Sequence, residues 1–269
     1  MDDHQDSKAN VTGSPGWPWL LRFSPAKLVF TSVWLLAVAW FLFLAVDIWR
    51  WVDLGPDQVA WMRLFNDRPV EWAQWLLMAL AIVASAYLAG RLSSNQERPV
   101  AVFFYLLALG LGLMLLEEAG DIRHTISDGV RETFGLTLFG IHYVVLVDMP
   151  YFALLAALPL YAVLRYGRYV WHAAQTRVYL LLGVILYGVA AISSGLRTLG
   201  GFYIRFGGWI DGALFGYRFP YPQIMGQQRA HFLLVDSVIE ESVELLAITM
   251  LLAAILAYAA HVRAEAARI

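Results

Sequence analysis

Glu117, Glu118 and Asp121, followed by His124, form one concentration of acids and imidazoles in this sequence. Glu240, Glu241 and Glu244, preceded by His231 and Asp236, form another. The two read alike, Glu-Glu-x-x-Asp and Glu-Glu-x-x-Glu. At 3.6 residues per turn, Glu117, Asp121 and His124 fall on one helical stripe with Glu118 beside it. Asp236, Glu240 and Glu244 fall on a second, flanked by Glu241. Carboxylates from two helices, joined by imidazoles, suit a hard or borderline divalent cation: iron, manganese, zinc or magnesium. Di-metal carboxylate bundles draw on a similar supply, although their Glu-x-x-His spacing is absent here. In this scheme Glu118, Asp121, His124, Glu241 and Glu244 are metal ligands. Glu117 or Glu240 is the general base, a metal-bound water is the nucleophile of a hydrolytic reaction, and His142, Asp148, His231 and Asp236 are additional site residues.

Two other chemistries fit the same residues. Acid and histidine chains inside membrane helices are material for proton- or cation-coupled transport, although the opposite halves of these helices offer little beyond Ser85 and Tyr87. A purely structural or assembly role would have Arg50, Arg123 and Arg197 neutralise the acids, but these arginines are too few for them.

The elements that position these residues follow from composition. The 269 residues are 60% hydrophobic and only 15% charged, against about 25% charged in soluble domains. The 11 Trp and 13 Tyr suit two lipid–water interfaces. A net charge of −2 argues against a nucleic-acid partner. The lack of cysteine excludes disulfides, thiol catalysis and Cys-ligated metals. Phosphate-loop, dinucleotide-binding and Gly-x-Ser-x-Gly motifs are absent.

Six runs approach the roughly 20 apolar residues that cross a bilayer: 28–49, 72–89, 100–118, 142–164, 178–194 and 235–260. The fold expected is an all-α, polytopic bundle of six spans over residues 27–262. A disordered or interfacial tail (1–26) precedes it and a short cytoplasmic tail (263–269) follows. Pro150 and Pro159 should kink the fourth span. The third span runs outward and the sixth inward, so both acidic segments share one leaflet. The two short loops on the other side carry Arg91, Arg98, Arg165, Arg168 and Arg177 with Glu97 as their acid. That density places both termini in the cytoplasm of a bacterial inner-membrane protein. The segment 202–221, rich in aromatics and paired glycines, reads either as an interfacial segment resting on the headgroups or as a cover packed over the polar site. The sequence thus leads to a divalent-metal-dependent membrane enzyme acting on a lipid or amphipathic substrate, with transport and a structural role as alternatives.

Overall fold

Ser24 accepts the backbone N–H of Lys27 at 3.5 Å and Pro25 takes the first helical position, so the first long helix starts there. In the computed structural model, which describes residues 17–52, 64–65, 69–93, 98–135, 137–138, 141–197, 201–219 and 221–268, this helix is α1 (Pro25–Phe43), extended by a π-helical turn, Leu44–Ile48. Next come α2 (Pro69–Ser93), α3 (Arg98–Gly120) and a shorter α4 (Ile122–Phe134). Two-residue strands β1 (Thr137–Leu138) and β2 (Ile141–His142) pair antiparallel, Thr137 opposite His142. Then follow α5 (Tyr143–Tyr161), with a π turn at Ala162–Tyr166, and α6 (Ala174–Leu196). The segment between the last two spans holds α7 (Phe202–Ile210) and α8 (Pro222–Met225). Finally α9 (Gln227–Leu233) continues through a π segment, Leu234–Ile239, into α10 (Glu240–Ala266).

Six of these helical runs are long and apolar enough to cross a membrane: Pro25–Ile48, Pro69–Ser93, Arg98–Gly120, Val145–Tyr169, Ala174–Leu196 and Gln227–Ala266. The chain is an all-α, multi-pass membrane bundle. The last run is its central post. Of its most apolar window, 72% is buried, against 11% for the span built on α5. A helix apolar on every side belongs inside a bundle, and the buried row Leu251–Ala259 of α10 meets that description. The outer helices turn side chains such as Phe30, Trp34, Leu154 and Leu164 outward.

Close approaches set the packing. A Cβ on Gly183 of α6 would lie 2.6 Å from the Leu251 side chain of α10. One on Gly110 of α3 would lie 2.6 Å from the ring of Pro159. The α5 proline therefore works as a packing knob on α3 as well as a missing hydrogen-bond donor.

Three expectations change. Residues 17–22, read as tail, are packed: Leu20 and Leu21 are buried, the Arg263 guanidinium donates to the Leu21 carbonyl, and the Trp17 ring lies between Arg91 and Arg263. His142 does not open the fourth span but sits on β2. Asp121 and His124 do not extend the stripe of α3, because Asp121 takes a left-handed conformation (φ 47°) that ends α3 and turns the chain into α4.

Candidate functional site

A cavity of about 700 Å³ lies among α2, α3, α5, α6 and α10. One end is acidic, lined by Glu71, Glu117, Glu118, Asp121, Asp236, Glu240, Glu241 and Glu244, with Arg123 and Arg197 as the basic groups. The other end is apolar, lined by Leu107, Leu111, Leu155, Pro159, Val163 and Leu251 among others. Both acidic segments therefore face one space. In the sixth span this happens although the π segment containing Asp236 interrupts the regular helix just before Glu240.

The carboxylates fall into two electrical classes. Glu117 lies 3.6 Å from the Arg123 guanidinium, accepts the Arg123 backbone N–H at 3.1 Å and accepts the Tyr151 hydroxyl at 2.6 Å. It thereby supplies a cap at the start of α4 from the preceding helix. Arg123 also reaches Asp148 at 3.7 Å, and the Ser127 hydroxyl donates to Asp148. Arg197 donates to Asp236 at 2.9 Å. These acids are matched by cations.

Glu118, Glu240, Glu241 and Glu244 form no ion pair among the described residues. Neutral donors serve two of them. The Tyr203 hydroxyl donates to Glu240 at 2.7 Å and the Gln74 amide donates to Glu244 at 2.9 Å. Burial, then the nearby Glu240 charge, holds the Tyr203 hydroxyl above the ordinary tyrosine range, so it stays a donor. Glu241 lies within electrostatic reach of Glu244, Glu71, Glu118 and Glu240. Among the described residues its Oε2 is buried without a hydrogen-bond partner, as are the Trp75 indole N–H, the Tyr187 hydroxyl and the Gln74 amide oxygen. Trp75, Tyr187 and Glu241 all line the cavity.

Neither a protein-family model, nor a curated protein, nor a solved structure matches this chain.

The ligand set expected from sequence divides. Glu118, Asp121, Glu241 and Glu244 line the cavity, as do the expected bases Glu117 and Glu240. Among the described residues no three His, Asp or Glu side chains converge as a metal-binding group. His124 lies on α4 and His142 on β2, and their side chains are outside the described part of the structure. His231 is buried elsewhere, its Nε2 3.1 Å from Asp211.

Among the described residues, none of the aromatic segment lines the cavity. Tyr203, Phe215, Phe219 and Tyr221 pack into an apolar cluster with Leu36 and Phe43 of α1 and with Leu234 and Val238. Tyr203 is the residue of this segment that reaches the acids.

Sequence reading passed over Gln74, Trp75, Tyr151, Tyr187 and Tyr203. A signal existed for the first: Glu71-x-x-Gln74 is a polar pair at helical spacing within an apolar run. The tyrosines carried none, because tyrosine is equally at home at a membrane interface.

Proposed function

We propose that this protein is a proton-coupled membrane carrier of a cation, with Glu118, Glu240, Glu241 and Glu244 as the exchanging carboxylates. One observation carries the reading: these four acids share a cavity and form no ion pair among the described residues, while Arg123 and Arg197 pair with Glu117, Asp148 and Asp236. Several half-buried carboxylates crowded into one cavity are costly unless protons or a cation neutralise them. A cation that enters must then displace protons, and a proton that enters must displace the cation. That exclusion is the coupling a carrier needs. Gln74 suits both states, since its amide donates to a carboxylate and its free oxygen can accept from the protonated acid once the amide turns.

In this reading both termini face the cytoplasm of a bacterial inner membrane, and the acidic end of the cavity faces outward. The support is the arginine density of the two short loops. The divalent-metal enzyme is the competing proposal for the same carboxylates, and the test separates the two.

Purified protein in proteoliposomes is given an outward proton gradient in weak buffer, and tetraethylammonium uptake is followed. Expected is gradient-dependent uptake, with proton release on binding, lost in Glu241→Gln/Glu244→Gln. Absence of gradient-dependent uptake, together with stoichiometric divalent metal by elemental analysis, would overturn the carrier in favour of the metal enzyme.

A further inference from the structure

The cavity is too long and too apolar at its inner end for an inorganic ion. From Glu241 and Glu244 it continues inward between α3, α5, α6 and α10 to Pro159, Val163 and Leu251, where its walls carry no charge. Two lining residues also show where it meets lipid. Leu160 of α5 is 45% exposed and Ile192 of α6 is 67% exposed. They stand on neighbouring helices, one of them the least buried span of the bundle. The acidic end has aromatic walls in Trp75 and Tyr187, and the carboxylate oxygen of Glu241 lacks a partner there. Carboxylates beside aromatic faces recognise ammonium groups, by charge and by cation–π attraction. Indole and phenol rings are poor partners for a hydrated divalent metal, which favours oxygen and imidazole donors.

We infer that the cavity takes a single-chain amphiphilic amine from the bilayer. Its ammonium sits among Glu118, Glu241 and Glu244 beside Trp75 and Tyr187, and its alkyl chain lies along Leu107, Leu155 and Leu251. Access is sideways, between α5 and α6. This inference rests on the cation-exchange reading and adds the substrate class. Ala156, which also lines the cavity, offers a way to fill its apolar part without touching an acid.

The test uses the full chain in lipid nanodiscs and an alkyltrimethylammonium probe with a diazirine at mid-chain. Expected is photolabelling of peptides containing Leu107–Met114 and Leu155–Val163. Dodecyltrimethylammonium should compete, while dodecyl sulfate at equal membrane mole fraction should not. Labelling should fall at least tenfold in Glu241→Gln/Glu244→Gln. Ala156→Trp should also lose labelling, yet keep proton release by tetramethylammonium, which shows that it is folded. Equal competition by dodecyl sulfate, or labelling confined to lipid-facing positions, would overturn the inference. If tetramethylammonium still releases protons in either case, cation exchange survives and only the amphiphile is refuted. If neither cation releases protons, both readings fall.

Discussion

Glu117 and Glu244 are the same residue type in opposite electrical situations, and an isosteric change distinguishes them. Glu117 pairs with the buried Arg123, which also reaches Asp148, so Glu117→Gln takes one of its carboxylates from a buried guanidinium. Breaking a buried pair on one side costs about 3–5 kcal/mol. Glu244 forms no ion pair among the described residues and accepts from Gln74, which is fully buried. Glu244→Gln removes a like charge from a crowded cluster and keeps the side chain's size. Thermal melts in detergent should therefore show Glu117→Gln clearly destabilised and Glu244→Gln unchanged or more stable, with cation-linked proton release lost in Glu244→Gln. A melt in which Glu244→Gln falls as far as Glu117→Gln would assign Glu244 to the structural network instead. At this scale the sequence was half legible. The carboxylates are visible by type and spacing, and every acid named in the two motifs lines the cavity. Which of them are matched by arginine is not visible, because Arg123–Asp148 and Arg197–Asp236 join different helices.

The element with the least tolerance is α7. A Cβ on Gly207 would collide with the His231 backbone carbonyl, and one on Gly208 would lie 3.1 Å from the His231 ring. The two glycines let α7 press against α9 closely enough for Asp211 to meet His231 and for the Tyr203 hydroxyl to reach Glu240. Gly207→Ala should therefore cost about 1–3 kcal/mol by overpacking and detach the segment from the sixth span. Trypsin cleavage at Arg205 and Arg218 should accelerate, whereas Gly129→Ala on α4, where a Cβ meets nothing, should cleave like the parent. Equal cleavage rates in the two variants would mean that α7 is not held through this contact. The helices were legible in the sequence because a 20-residue apolar run has few alternatives in lipid. The break at Asp121 was not, since a left-handed aspartate carries no periodic signal. Nor was the seat of the aromatic segment, which is set by paired glycines meeting a backbone 24 residues away at His231.

At the scale of the whole molecule, the unequal ends of the bundle are the basis of the proposed orientation. The helical run Gln227–Ala266 has 40 residues and so extends about 60 Å, twice the roughly 30 Å of hydrocarbon. Its apolar stretch from Leu245 onward can cross the hydrocarbon by itself, and the proposed placement puts the acidic half near the headgroups. There a carboxylate costs less than at the bilayer centre and protons are within reach of water. The opposite end is bounded by arginines from α2, α3, the α5–α6 turn and α10, with Trp17 clasped between two of them. The two ends therefore differ in sign, and the proposed orientation puts the positive end in the cytoplasm. The chain contains no cysteine, so single cysteines report orientation without further engineering. Ser93 is exposed at the end of α2, and Tyr217, 76% exposed, follows α7. In intact cells an impermeant maleimide should label Tyr217→Cys at once and Ser93→Cys only after the membrane is opened. The reverse pattern would keep the six spans but invert the protein, placing the acidic cavity on the cytoplasmic side. Labelling of both from one side would refute the six-span topology itself, because these two positions are separated by an odd number of crossings.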